Sequence, residues 1–454
     1  MSQALRALAA AGVAVWLDDL SRPRIRSGDL VRSVERGEMV GITTNPTIFA
    51  KAIGAGSGYE DQVRDLALRG TAIGETLRLL TAWDVRAACD ILRPVFDRTG
   101  QRDGRVSIEV DPRIARDGDR TAAEARGLWW LVDRPNLFIK IPATLAGLPA
   151  ITASVADGIS VNVTLIFSVG RYEAVLDAYM AGLERRAAKG DGLEGVESVA
   201  SFFVSRADTE VDRRLAGIAD RSGDEAVKAA AERLHGQAAL ANSRLAYRHY
   251  EQALASDRWK TLAAKGARMQ RLLWASTGVK DKRFDDTRYV VELVAPDTVN
   301  TMPEATLRAV ADHGEVRGDT IRGGYERAQA VVDELANLGV DLADVADVLE
   351  DQGIASFAAS WDELIASVTR RVEQAGATVM PAGAVTPASG EGGQAAAPAA
   401  AAPRETAGKA AVYLPVGWTG ILTSTQPRIF WSVNTMMTRL ACRSSFMGSA
   451  TDTV

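Results

Sequence analysis

Short apolar runs alternate along this chain with longer stretches in which apolar residues recur at helical spacing. Residues 13–17, 39–44, 106–110, 137–144, 160–166, 198–204 and 272–275 read as strands, and 298–301 as a weaker eighth. Residues 1–12 predict a short helix, 21–27 a loop, and 28–36 a helix. Helical patterns follow from Thr47 and over 59–69, 75–98, 119–131, 146–157 and 169–186. After the sixth strand a long insertion covers 207–215, 224–256 and 259–265, rich in Ala, Arg, Glu and Leu and poor in Gly and Pro, with a further helix over 341–374. Eight alternations with crossovers long enough for parallel strands predict an α/β fold, a TIM (β/α)8 barrel with a helical insertion; an open doubly wound sheet is the alternative. The barrel is expected over residues 1–375.

Composition changes after Gln374. Residues 376–411 are dominated by Ala, Pro and Gly and cannot bury enough apolar surface to offset their ordering entropy, which predicts a flexible, disordered linker. The tail, 412–454, carries Trp418, Phe430 and Trp431 but shows no convincing period, and its structure stays unassigned. The alanine-rich start superficially suggests a secretory signal, yet it runs directly into Asp18 and Asp19 without a small-residue cleavage pattern. No apolar stretch approaches the roughly 20 residues that span a bilayer, so no membrane partner is expected.

Apolar residues at 47%, charged residues at 24% and a formal net charge of −5 describe a soluble globular chain without the basic surface that nucleic acid requires. Cys89 and Cys442 lie far apart and form no CxxC, which indicates neither a disulfide framework nor zinc and fits a reducing, cytoplasmic compartment. His235, His249 and His313 lack metal-ligand spacing, and the glycines between Gly54 and Gly58 follow no strand. Neither a metal nor a nucleotide cofactor is expected.

The candidate chemistry centres on Lys140 in the strand Leu137-Phe138-Ile139-Lys140-Ile141-Pro142. Loss of hydration in an apolar strand favours the neutral amine, the form that attacks a carbonyl and builds a Schiff base. A lysine at a strand end that snorkels to water is the ordinary explanation for one such residue alone. Period-2 parity places Asp18 with Ala14 and Trp16, Asn45 with Gly41 and Thr43, Glu109 with Ser107, Lys140 with Phe138, Thr164 with Asn162, and Ser276 with Leu272 and Trp274. The opposite faces, such as Val161, Val163 and Leu165, are more aliphatic, as helix-covered outer faces should be. Six strands thus present polar residues inward at their carboxyl ends, the position of catalytic groups in such barrels.

These residues carry a resemblance. Trp16-Leu17-Asp18-Asp19, Thr43-Thr44-Asn45-Pro46, Val106-Ser107-Ile108-Glu109-Val110-Asp111, Phe138 to Thr144, Asn162 to Ser168 and Trp274-Ala275-Ser276-Thr277 look like the successive motifs of transaldolases, over about residues 1–375. The bacterial branch with a long helical insertion is the most similar. The resemblance implies a class I enzyme of the pentose phosphate pathway that moves a dihydroxyacetone unit from a ketose phosphate to an aldose phosphate. In it Lys140 is the Schiff-base lysine, Asp18 the acid/base in carbon–carbon cleavage, and Glu109 the group acting through a water that Thr164 holds. Asn45 and Asn162 bind donor hydroxyls, Ser201 and Phe203 line the pocket, and Arg206 with Ser276 holds phosphate. Where some relatives place a second arginine after the seventh strand this chain has Lys280, which takes that role. Sugar phosphates are the expected partners, and a monomer or homodimer the expected state. An aldolase releasing free dihydroxyacetone is the near alternative, although related aldolases carry a tyrosine in the sixth strand where this chain has Phe202 and Phe203. A non-catalytic barrel scaffold is the distant one.

Overall fold

Each apolar run ends in polar residues that hand over to a helix, and the runs are too short to be anything but strands. In the computed structural model, which describes residues 1–55 and 57–379, they are β1 (Val13–Leu17), β2 (Gly41–Ile42), β3 (Arg105–Glu109), β4 (Leu137–Pro142), β5 (Val161–Ile166), β6 (Ser198–Phe203), β7 (Arg271–Ala275) and β8 (Thr298–Met302). Each pairs in parallel with the next and β8 pairs with β1, closing a TIM barrel. Helices surround it, and no helix among the described residues is long and apolar enough to cross a membrane.

Lateral partners in a parallel sheet point to the same side, so the register identifies the inward face. Trp16 pairs with Gly41 and Thr301, Glu109 with Lys140, Lys140 with Asn162, and Pro142 with Thr164. The interior is plugged below the lysine by Trp16 and Phe138, whose ring centroids stack 6.0 Å apart. Gly41 makes room for that plug: a Cβ there would stand 2.5 Å from the Trp16 indole. Gly41→Ala should therefore lower stability by about 1–3 kcal/mol through overpacking. A urea midpoint equal to that of the parent would show instead that Trp16 yields.

The inward face expected for β7 is corrected by the register. Ser201 pairs with Leu273 and Phe203 with Ala275, so Leu273 and Ala275 point inward while Leu272 and Trp274 point out. Trp274 packs edge-on against its partner Phe202 at 6.1 Å. Ser276 still reaches the interior because its backbone turns left-handed, with φ at 57°, and breaks the alternation. A similar break ends β5, where the register shifts between Val163 and Ile166 and Leu165 has φ at 61°. Leu165 consequently leaves the outer face for the C-terminal helix, where Gly353 is so close that a Cβ would meet Leu165 Cδ2 at 3.0 Å.

The helix expected over 224–256 is two, Glu225–Leu234 and Ala238–Ala255. Gly236 breaks it at φ 65°, and the freed amides are taken by Asp212, which accepts from Gly236 N at 2.8 Å, and Asp208, which accepts from Ala239 N at 2.7 Å. The expected loop 21–27 contains a short helix, Arg22–Arg26, capped by Ser21. Helices Glu304–His313 and Tyr325–Asn337 have no counterpart in the sequence reading. The C-terminal helix, Leu342–Val379, runs past Gly376, and the remainder of the expected linker together with the tail 412–454 lies outside the described residues.

Candidate active site

At the carboxyl end of the barrel a cavity of about 470 Å³ opens above the aromatic plug. Eight of the residues singled out in the sequence line it: Asp18, Asn45, Lys140, Ser201, Phe203, Arg206, Ser276 and Lys280. Glu109, Asn162 and Thr164 are not among its lining residues; they are buried on the same inward face.

Lys140 is 4% exposed and donates to the Thr44 carbonyl at 3.1 Å. Its Nζ lies 3.5 Å from Glu109 Oε2, the neighbour that register predicts. On the far side of the mouth Asp18 accepts a 2.7 Å hydrogen bond from Thr43 Oγ1, itself 2.6 Å from Thr301 Oγ1. Asn45 accepts from Ile48 N at 3.0 Å and so starts the helix Pro46–Ala55 while its amide NH2 remains at the cavity. Asn162 donates to Ser107 Oγ at 3.0 Å and accepts from Ser201 Oγ at 2.7 Å. These two bonds tie Ser201 to the β3 residue Ser107 through the Asn162 amide. Ser276 and Ser205 hydroxyls are 3.0 Å apart.

Sequence reasoning gave no role to Thr43, Thr301, Lys51 or Phe357, which also line the cavity. Thr43 lies on the inward face already expected of Asn45, and Thr301 pairs with the inward Trp16, a position that alternation along β8 would also turn inward. Lys51 lies one helical turn after Thr47. Phe357 comes from the C-terminal helix, far from any strand, and nothing in the strand pattern points to it.

Burial pushes the Asp18 carboxyl up, opposed by Lys140 and by the Thr43 hydrogen bond. Burial also pushes Glu109 up to about 7, against the pull of Lys140 and with a further push from Asp18. A carboxyl raised to about 7, as that of Glu109 is, exchanges protons near neutral pH, as acid/base groups do. Arg206 and Lys280 are each pushed down by burial, and Lys280 further by the charge of Arg206. Two cations held together at a mouth, without a carboxylate ion pair to either among the described residues, suit a dianion such as a phosphate ester.

The raised Glu109 carboxyl binds its proton more tightly in the fold than in the unfolded chain. Folding stability therefore falls as pH rises from the ordinary 4.5 through about 7, then levels. Glu109→Gln removes that dependence, so its stability relative to the parent should rise by roughly 2–3 kcal/mol between pH 4 and pH 8. Urea midpoints at the two pH values check this, and a difference that does not change with pH would refute it.

Residues 15–368 match the family model described as Transaldolase/Fructose-6-phosphate aldolase. The chain is 60% identical over 375 residues to a protein of Acidothermus cellulolyticus named Transaldolase, covering 83% of this chain and 98% of the relative. It is 59% identical over 372 residues to a Transaldolase of Thermobifida fusca, covering 82% and 99%. Transaldolase 1 of Streptomyces coelicolor is 58% identical over 373 residues, covering 82% and 96%.

Proposed function

Because the chain belongs to the transaldolase/fructose-6-phosphate aldolase family, we propose that Lys140 carries a dihydroxyacetone unit as a Schiff base from a ketose phosphate to an aldose phosphate. The donor is sedoheptulose 7-phosphate or fructose 6-phosphate, and the acceptor glyceraldehyde 3-phosphate or erythrose 4-phosphate, in the pentose phosphate pathway. The observation that carries this is the amine of Lys140 at the cavity floor, 3.5 Å from one carboxylate and sharing the cavity with another.

The Lys140 amine attacks the ketose carbonyl, and loss of water from the carbinolamine leaves the iminium. Glu109 moves the protons of this dehydration through a water it shares with Thr164. Apart from the ion pair with Lys140, both Glu109 oxygens and the Thr164 hydroxyl are buried without a protein hydrogen-bond partner, as groups that serve a buried water are. Asp18 then takes the proton of the donor hydroxyl as the carbon–carbon bond breaks. The bond electrons flow into the iminium, the aldose phosphate leaves, and an enamine remains on Lys140. Acceptor binding reverses the sequence, and Asp18 returns its proton. Asn45 and Asn162 bind donor hydroxyls, with Ser201, which donates to Asn162, lining the same pocket; Arg206, Ser276 and Lys280 hold the phosphate.

Transfer is favoured over release of free dihydroxyacetone because Phe203, apolar at the cavity wall, offers no proton donor where a tyrosine could act. We place the enzyme in the cytoplasm, where sugar phosphates are made, as a monomer or homodimer. Borohydride reduction with fructose 6-phosphate should fix a three-carbon adduct on Lys140, and sedoheptulose 7-phosphate should form from that donor only when erythrose 4-phosphate is present. Absence of the adduct would sink the Schiff-base reading, while acceptor-independent turnover at the same rate would identify the aldolase.

A further inference from the structure

We infer that Phe357 of the C-terminal helix keeps the dihydroxyacetone unit on Lys140 between the two half-reactions, by shielding the Schiff base from bulk water. This rests on the Schiff-base reading above. The unit left after cleavage is an enamine, in proton exchange with an iminium. Protonation of its carbanionic carbon gives the iminium, water adds to the iminium carbon, and the carbon–nitrogen bond breaks. Free dihydroxyacetone then leaves and the Lys140 amine is restored. A transferase must suppress this hydrolysis until the acceptor arrives, although its own dehydration step uses a water.

Most of the cavity lining is polar. Phe357, from the C-terminal helix, is the aromatic ring set against the lysine itself: it is 5% exposed, lines the cavity, and its ring centroid is 5.7 Å from Lys140 Nζ. That distance is within the range at which an aromatic ring attracts a cation, and a protonated iminium is a cation. Excluding water from a closed site is a recognised way of protecting a reactive intermediate.

The position of the ring is enforced from both sides along one helical face. Glu350, Gly353, Phe357 and Ser360 follow at intervals of three, four and three, the spacing that keeps residues on one side of a helix. Glu350 pairs with Arg171 at 3.3 Å, both largely buried. Gly353 lets the helix settle against Leu165, the residue that the left-handed end of β5 turns toward it. Ser360 and Thr47 hydroxyls are 2.9 Å apart, tying the next turn to the helix Pro46–Ala55. Beyond them Leu364 and Val368 are fully buried. Phe357 is thus held over the lysine by an anchor before it, a close approach one turn before it, and an anchor after it.

The test compares the parent with Phe357→Ala and with Phe357→Leu, which refills much of the volume and protects the helix seating. Two quantities are read for each folded variant with fructose 6-phosphate: the ratio of dihydroxyacetone release without acceptor to transfer onto erythrose 4-phosphate, and the lifetime of the borohydride-trappable adduct once donor is removed. The alanine variant should still trap donor on Lys140, but its release-to-transfer ratio should rise about tenfold, on the order of what one desolvated cation–ring contact provides, and its adduct should decay correspondingly faster. Leucine should fall between alanine and the parent. A loss of transfer with the ratio and adduct lifetime unchanged in both variants would make Phe357 a packing residue and overturn the inference. A parent that never traps donor would defeat the Schiff-base reading itself, so the two failures are told apart by the parent alone.

Discussion

Lys140→Met should abolish turnover, with a loss of roughly 10⁴–10⁶-fold, the scale seen when a covalent nucleophile is removed. Methionine has the reach of the lysine stem and an apolar end, so it fills the space between the Phe138 level and Phe357 without a cavity. The hydrogen bond to the Thr44 carbonyl is lost, and Glu109 loses the neighbour that holds its carboxyl down. That carboxyl should then remain protonated to higher pH, which spares the fold an unpaired buried charge. Circular dichroism should therefore report a folded variant near neutral pH. Turnover above about one per cent of the parent in that folded protein would remove Lys140 from the chemistry.

The second large effect separates the two carboxylates. Asp18→Asn keeps the size of the side chain and can still pair with the Thr43 hydroxyl, but it cannot take a proton. Donor should form its adduct on Lys140 at close to the normal rate, while cleavage slows by about 10²–10⁴-fold, the usual cost of losing an acid/base group. Glu109→Gln should do the reverse. Glu109 lies 3.5 Å from the lysine nitrogen, where it can serve dehydration there, while Asp18 lines the cavity that the donor would enter. Adduct formation should slow and become limiting for the whole reaction. Rapid borohydride trapping reports the first step and acceptor-dependent product the second. An aspartate variant that fails to trap, beside a glutamate variant that traps normally, would mean that the roles are exchanged.

The barrel and most of the site are legible in the sequence because both depend on a local rule. Alternation along a strand places Asp18 above Trp16, Glu109 above Ser107 and Lys140 above Phe138, and the register carries those faces around the sheet. The rule fails where the backbone leaves the extended region. Nothing in Ser276 or Leu165 announces a positive φ, a conformation that side chains other than Gly, Asn and Asp adopt with difficulty, so β7 was assigned the wrong inward face and Leu165 the outer one. Context is the second obstacle. Asn162 has the chemistry of a sugar ligand, and its bonds to Ser107 and Ser201 depend on neighbours that strand alternation alone does not pair with it. Phe357 looks like any apolar helical position, and only the packing of the C-terminal helix brings it to Lys140. Gly236 was visible, but the carboxylates that make a break there favourable, Asp208 and Asp212, sit in a separate helix.

The pairing of β1 with β8 has a consequence for how the chain comes into being. Val13 needs Thr298 as its neighbour, and Leu17 needs Met302. At about 5–20 residues per second, synthesis of the intervening chain takes on the order of half a minute. Throughout that interval β1 is the exposed edge of a growing, twisted sheet, with unpaired amides and carbonyls beside an apolar strand. A contact so distant in sequence also makes closure slow once the chain is complete. The nascent chain is therefore most open to edge-to-edge association in the interval before β8 is made, when most of the site-bearing strands already exist.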